Sequence, residues 1–584
     1  MFSVPDEKGR ILQPNDGKNT GNVFATYGID LNEGKIKLSE QSKVMLDEQN
    51  TSTFDGYAAA IMPLSLNGRT GQLMALSDRA FATDFDDPTG TWTISTSGTD
   101  PDGGNTVSDM ESFDGLLIAS GSSSSGTQDL LSWNGTTWAS YWKGTLGQSG
   151  FATGFRTLLK RGSDGNLYLT VDGNKLWKID PNTGADVSGA GTLDFSATPY
   201  QFTCLARTST RMFIGTKNLS GGNGAIIEWD MSPSSSTANK IHDIGEEAVR
   251  CIAVKDDVPY AVLSDGTIKY FNNLSFVEYK GFRFPVEKNA KLSEDFIHPN
   301  GWDIIDDKIH FLVTGRTNTT NVPTGEAQSY WAMPAGVWCL DPDVGLYHRF
   351  ALGANTASQS DYGMGAITNV GALFAVKLNS DTSTKFLASY EYRLTDSTTT
   401  TAVIAYHDRA NALASRGHII TPFSLSLSEA FRQVEAFHKP LSAGSKIKVY
   451  SRAEDAPAVS LSGFWLSTTA FNYVGVDTGI VIGDVVFIKA GKGAGQWRRV
   501  TDVAESETVT SLTFDEANTL ATANEYGVVD VFKFRYMGVI EDTTQDYHSF
   551  TLPNVEKKRK RQFLFEIIQP AATEIEIDYI IVNT

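Results

Sequence analysis

Only three cysteines occur in 584 residues, Cys204, Cys251 and Cys339, far apart and with no CxxC pair. A disulfide framework or a cysteine-ligated zinc site needs paired or clustered thiols, so neither is expected, and synthesis in a reducing cytoplasm is. Positive charge is also scarce: 49 Lys and Arg face 68 Asp and Glu, for a net charge of −19 at pH 7. Binding a nucleic-acid backbone over a broad surface requires clustered cations, so it is not expected. No run of 18 apolar residues exists, and MFSVPDEKGRILQPNDGKNTG at the start has no apolar core of signal-peptide length. Membrane insertion is therefore not expected.

Catalytic signatures are missing too. There is no Walker-type phosphate loop, no HExxH and no GxSxG elbow. GKGAGQ, Gly491 to Gln496, lacks the terminal Gly-Lys-Ser/Thr and sits in strand-rich sequence, so it reads as a hairpin turn. DPDGGNTVSDME places Asp100, Asp102 and Glu111 at the first, third and twelfth positions of a calcium loop, but Gly104 and Asn105 break its fifth and sixth. The pairs Asp86-Asp87, Asp256-Asp257 and Asp306-Asp307 could serve a glycosidase, yet Asp beside a turn is favoured for its own backbone hydrogen bonds. The tails TGTW (Thr89 to Trp92) and NGTTW (Asn134 to Trp138) resemble sialidase Asp-boxes, but their Asp is misplaced. No catalytic residue, metal ligand or cofactor is assigned, and the chain is not expected to be an enzyme.

What the chain does have is turn and strand material: 53 Gly, 32 Phe, 20 Tyr and 11 Trp, with only 20% charged residues. Seven times it repeats a turn followed by an alternating apolar strand, anchored at Leu73, Leu117, Leu167, Met212, Pro259, Ile309 and Leu373. Successive anchors lie 44, 50, 45, 47, 50 and 64 residues apart. A period near 40 to 50 residues is that of four-stranded propeller blades. A second strand in most repeats carries an aromatic, Trp133, Trp177, Trp229, Tyr270, Trp338 or Tyr390, suited to filling the wedge between blades. The first repeat offers Phe81, Phe85 and Trp92 instead. Asp114-Gly115, Asp164-Gly165, Asp265-Gly266 and Asn134-Gly135 tolerate positive φ and suit tight hairpins.

The expected fold is all-β: a seven-bladed β-propeller over 21–410, then a C-terminal β-sandwich over 411–584 with a small strand-rich insertion at about 475–535. Residues 1–20, polar and rich in Gly, Asn and Asp, read as an extended N-terminal arm. Short alternating runs at Val23 to Tyr27 and Lys35 to Leu38 are candidates to complete a blade begun by the other end of the ring. Thr314 to Pro334 should project as a loop. LSEAFRQVEAFH fits a weak helix or a strand equally well. The basic run Lys557, Lys558, Arg559, Lys560 and Arg561 reads as a solvated turn, or as a contact for an acidic partner surface.

YGIDLNEGKIKLSEQ, the degenerate blade DGNLYLTVDGNKLWKIDPNTG, and the later GDVVFIKAGKGAGQWRRVTDV and LPNVEKKRKRQFLFEIIQ together resemble structural proteins of tailed-bacteriophage virions. The nearest class is the β-propeller tail proteins: nozzle, hub or tail-tip subunits. That resemblance implies a virion (tail) location after assembly in the host cytoplasm, other tail proteins as partners and a symmetric homo-oligomer. DNA passing through the assembly, without sequence-specific binding, is compatible with it. Two alternatives stay open: a carbohydrate-binding or carbohydrate-cleaving propeller at a host surface, and a cellular scaffold that binds other proteins.

Overall fold

The structure is a computed structural model, and it describes residues 2–4, 25–31, 35–40, 42–47, 56–66, 69–76, 80–84, 92–94, 106–113, 116–122, 128–133, 138–140, 157–180, 193–231, 237–284, 286, 291–315, 317–318, 335–343, 345–352, 367–376, 385–393, 400–407, 415–421, 424–425, 433–452, 459–475, 479–490, 495–506, 508–517, 525–541, 543–551, 560–570 and 574–583. Among these the regular elements are all strands. LSEAFRQVEAFH contributes a strand, Gln433–His438, whose side chains alternate between half-buried and buried.

Seven antiparallel four-stranded sheets follow one another along the chain from Ala60 to His407. Their first strands are Ala60–Leu66, Thr106–Phe113, Leu159–Arg161, Tyr200–Arg207, Val249–Lys255, Ile297–Ile305 and Ile367–Val376. Each packs against the first strand of the next sheet, and Ile367–Val376 packs back onto Ala60–Leu66. A β-propeller results. Seven apolar clusters fill the seams, one between each neighbouring pair of sheets, the last and first included. Aromatics wedge these seams: Trp133, Trp229, Trp338 and Tyr390 are at most 1% exposed. Trp229 meets Tyr168 of the preceding sheet edge-on, centroids 5.5 Å apart. Trp177 and Tyr270 are only half-buried.

Six repeat anchors fall on second strands of their sheets, but Leu373 falls on a first strand. The second strand of the seventh sheet is Lys385–Arg393, so that sheet sits further along the chain than even the 64-residue spacing suggested. Its fourth strand is Ser42–Asp47, paired to Thr400–His407. The closing strand thus comes from the early segment, yet it is neither run named from sequence. Ala25–Tyr27 pairs instead with Arg416–Ile420, and Ile29–Asp30 with Lys37–Leu38. These strands leave the ring and join the C-terminal part, although a boundary at residue 21 assigns them to the propeller.

After the ring come two sheets. One orders Ala25–Tyr27, Arg416–Ile420, Lys560–Ile568, Lys446–Arg452 and Arg535–Ile540; the other orders Phe2–Val4, Ile577–Asn583, Gln433–His438 and Tyr547–Thr551. Their inward residues share one apolar core, Ile419, Val434, Ile447, Phe565 and Ile580 among them, which also takes in Cys339 and Tyr347 from the sixth propeller sheet. A closed six-stranded barrel runs from Val459 to Phe532. It begins before residue 475 because Val459–Ser467 and Ala470–Val474 are joined by a tight turn without glycine, which left no boundary signal.

Candidate functional site

Three places gather polar chemistry: the hairpin turns on one face of the ring, its axis, and the junction with the C-terminal sheets. At the turns, Asp256 and Asp257 have φ of 51° and 64°, and Asp306 and Asp307 have 50° and 61°. Two consecutive left-handed residues define the tight hairpin, and Asp tolerates that conformation better than most side chains. The carboxylates then bridge neighbouring sheets. Asp257 accepts from the Ser209 backbone N–H at 2.6 Å, and Lys255 ion-pairs with Asp307 at 3.0 Å. Arg207 donates to the Arg161 carbonyl at 3.1 Å. Both described pairs are turn and seam residues; Asp86 and Asp87 lie outside the described residues.

At the axis, Ile297–Ile305 carries a bulge. Ile297 faces Val313 and Trp302 faces Phe311, so five steps on one strand match two on the other, and three residues are extra. The bulge brings Asn300 across to other sheets: its Nδ2 donates to Asp109 Oδ1 at 2.6 Å and to the Ala59 carbonyl at 3.1 Å. Beside it, Gly371 lets the first strand of the seventh sheet approach Ala58, because a Cβ there would run into the Ala58 carbonyl. Asp109 Oδ1 also accepts from Met110 N at 2.8 Å, and Oδ2 from Leu159 N at 2.8 Å. Burial pushes the Asp109 carboxyl up to about 6, against the opposing charge of Lys160 and these hydrogen bonds. Asp303 is likewise pushed up to about 6 by burial, against bonds from Ala375 N and Ile304 N, both at 2.7 Å.

Raised carboxyls in a channel are an acid–base signature. Here both oxygens of each already accept N–H bonds, so their chemistry is that of ties between sheets. Truncating Asn300 to Ala should cost about 1–3 kcal/mol, because a buried carboxylate loses a donor. Urea unfolding of Asn300→Ala checks this, and a loss below about 0.5 kcal/mol would remove the tie from the account.

At the junction, Gly345–Ala351 of the sixth sheet packs against Ala25–Tyr27 and Ile29–Asp30. Arg349, 1% exposed, sends Nη1 to His310 Nε2 at 3.1 Å and Nη2 to Asp306 at 3.3 Å, with Asp30 3.8 Å from Nε. The guanidinium also stacks over Phe350, 4.6 Å from the ring centroid. His310 must accept from Arg349, so its proton sits on Nδ1 and is donated to the Lys308 carbonyl at 3.0 Å. Burial and the Arg349 charge hold His310 down to about 3. His348 Nδ1 accepts from Gly28 N at 2.9 Å while Nε2–H donates to the Ala335 carbonyl at 3.1 Å, and burial holds it down to about 4. His407, stacked on Phe386, is held down to about 3, and His418, edge-on to Trp497, is driven well below its ordinary value.

None of this junction was visible in the sequence, where the eight histidines look scattered. The five-residue set His310, His348, Arg349, His407 and His418 converges only through folding.

The basic run divides. Lys557, Lys558 and Arg559 lie outside the described residues, and Lys560 opens the strand Lys560–Ile568. Arg561 is corrected: it is 0% exposed, and its Nε and Nη2 donate to Ser451 Oγ at 3.2 and 2.6 Å. Its strand is buried from Arg561 through Ile568, so this cation lies in the interior and is not a partner contact. Of the calcium-like loop, Asp100 and Asp102 lie outside the described residues, and Glu111 accepts from Arg161 N at 3.2 Å. In the glycine-rich turn, Gly495 N donates to the Ile488 carbonyl at 2.7 Å, closing a hairpin between Val485–Ala490 and Trp497–Glu505. Within Thr314 to Pro334, Thr317–Asn318 pairs with Lys291–Leu292, while 319–334 lie outside the described residues. Among the described residues no group of three His, Cys, Asp or Glu is arranged to hold a metal ion.

No protein-family model and no curated protein matches the chain. Among solved structures it is similar to the WD40 β-propeller domain of Doa1, at 12% identity and TM-score 0.35, over 62% of this chain and 97% of that one. BamB from Moraxella catarrhalis is similar at 13% identity and TM-score 0.30, over 60% and 96%. The computationally designed Ika8 protein is similar at 11% identity and TM-score 0.31, over 68% and 100%. Superpositions this loose leave the fold resting on the strand pairing and seam contacts.

Proposed function

We propose that this chain is a structural subunit of a tailed-bacteriophage virion, part of the tail as a nozzle, hub or tail-tip component, and that it works by protein–protein assembly rather than by catalysis. We read its seven sheets as the blades of a seven-bladed propeller, and the two C-terminal sheets as a β-sandwich carrying the barrel as an insertion.

The observation that supports a mechanical role is the stitching by the first 47 residues. Ser42–Asp47 completes the last propeller sheet, Ala25–Tyr27 extends a C-terminal sheet, and the hairpin Ile29 to Leu38 lies in the shared core. Buried ions tie the C-terminal part together, at the barrel and the sheet it packs on. Glu566, 0% exposed, accepts from Arg416 at 3.2 Å and from Trp497 N of the barrel at 3.3 Å. Asp484, also 0% exposed, pairs with Lys533 at 2.6 Å and Arg535 at 3.0 Å. A body tied in this way keeps its shape under load, which a tail subunit needs and a ligand-closing enzyme does not.

The test is a tagged chain expressed during phage growth and located by negative-stain imaging of purified particles. Label at the tail is the expected outcome. A tagged chain that complements growth yet is absent from particles would overturn the role.

A further inference from the structure

We propose that His348 is an acid-operated latch: a proton on its ring breaks the contact between the early segment within 25–40 and the sixth propeller sheet, and frees that segment ahead of the ring itself. The inference is independent of the tail role and concerns how the propeller is held to the C-terminal part.

Gly28, at φ of 60°, is where the chain turns from Ala25–Tyr27, paired in a C-terminal sheet, into Ile29–Asp30, paired with Lys37–Leu38. Its N–H donates to His348 Nδ1 at 2.9 Å, while His348 Nε2–H donates to the Ala335 carbonyl at 3.1 Å. One ring nitrogen must accept and the other donate, which only the neutral ring does. Imidazolium carries N–H on both nitrogens, so a protonated His348 sets donor against donor at Gly28. The ring has no room to turn away. It is 0% exposed, Trp338 stands edge-on with centroids 5.6 Å apart, and a Cβ on Gly336 would run into Nε2. The proton is therefore taken up as the segment moves off.

A second tie fails in the same direction. Asp30 lies 3.8 Å from Arg349 Nε, and Arg349 donates to His310 Nε2, so a proton on His310 also meets a donor. The charged and titratable groups on the surrounding elements do not compensate a charge on His348. Arg349 is its neighbour on the strand, and Asp30 and Asp306 are engaged by that guanidinium. Cys339 and Tyr347 are kept neutral by burial. His418, on the strand paired to Ala25–Tyr27, would repel it. Glu566, opposite His418 in register, already accepts from Arg416, Tyr450 and Trp497 N. Elsewhere in the ring, His242 faces the Glu228 carboxylate at 2.7 Å and His298 accepts from Asn300 N within its own bulge, so neither holds the early segment. Burial holds His348 down to about 4, below its ordinary 6.5, so the latch is firm above 6.5 and weakens as pH falls towards 4.

Hydrogen exchange of the full-length protein, read by mass spectrometry at pH 7 and pH 5 and corrected for the intrinsic rate, tests the latch. Opening of residues 25–40 should rise about 20-fold from His348 alone between these values. The third to fifth sheets, Leu159 to Arg283, should rise by a smaller factor. His348→Asn keeps an oxygen acceptor for Gly28 and does not titrate, so it should remove the 20-fold rise from 25–40 and leave those sheets as in the wild type. An equal rise in both regions of the wild type, or an Asn variant whose residues 25–40 open as the wild type's do, overturns the latch. The wild-type comparison decides by itself where the variant does not fold.

Discussion

Acidification from pH 7 to pH 5 is expected to remove roughly 3 kcal/mol or more of folding stability, because the native state cannot protonate its junction histidines. His310, His348 and His407 are held down to about 3, 4 and 3 from an ordinary 6.5, and His418 is driven well below it. A folded value below the unfolded one means that the unfolded chain binds the proton first. The contribution is therefore complete above 6.5 and drains away as pH falls towards the folded values. His310, His348 and His407, neutral to pH 5, each lose about 2 kcal/mol over these two units.

Two axial carboxyls oppose this. Asp109 and Asp303 rise from 3.8 to about 6, so the native state gains their protons first, and stability from them grows as pH falls through 6. Their combined gain is about 3 kcal/mol over the same interval, against about 6 kcal/mol lost from His310, His348 and His407, with His418 adding in the same direction. The histidines win. Urea midpoints measured from pH 7 to 5 check this, and a change below about 1 kcal/mol would sink it.

His407→Phe separates the histidine contribution from general acid sensitivity. Among the described residues neither ring nitrogen of His407 has a hydrogen-bond partner, and the ring lies parallel to Phe386 with centroids 4.3 Å apart. Phe keeps the stacking and removes two unsatisfied buried polar atoms. The variant should gain about 1 kcal/mol at pH 7 and lose about 2 kcal/mol less on going to pH 5.

The propeller was legible because its signals are local and repeated. The anchor strands of Leu117, Leu167, Pro259 and Ile309 run five to seven residues and are flanked by Asp-Gly or Asp-Asp turns, whose left-handed conformations the structure realises at Gly165, Gly266, Asp256 and Asp257. Leu373 misled because its strand, Ile367–Val376, is apolar enough to look like a second strand while serving as a first. What closes the ring was half legible. Nothing local distinguishes Ser42–Asp47, which pairs with a strand some 360 residues away, from Ala25–Tyr27, which pairs outside the ring. The Asn300 bulge had a visible trace in the HPNG sequence, though its partners Ala59 and Asp109 did not. Arg349 left no trace at all, because its four partners are ordinary residues made important only by long-range packing.

That makes Arg349 the residue whose loss should cost most among the polar ties. Arg349→Ala should destabilise the chain by about 3–5 kcal/mol, since it strands Asp306 and Asp30 without their cation, leaves His310 Nε2 without its donor and opens a gap over Phe350. Lys should rescue little, because an ammonium cannot fork towards His310 and Asp306 while lying flat on the ring. Arg349→Met with Asp306→Asn, which keeps a side chain that tolerates the left-handed turn, should cost less than Arg349→Ala alone, because it removes one of the two facing charges and fills the gap over Phe350. The variant also has a signature that mere loss of packing lacks. The Arg349 charge is one cause of the depressed His310 value, so Arg349→Met should raise it, and NMR titration of the His310 ring should show protonation at higher pH. A cost under 1 kcal/mol, or an unmoved His310, would mean that the guanidinium holds the junction by bulk and not by charge.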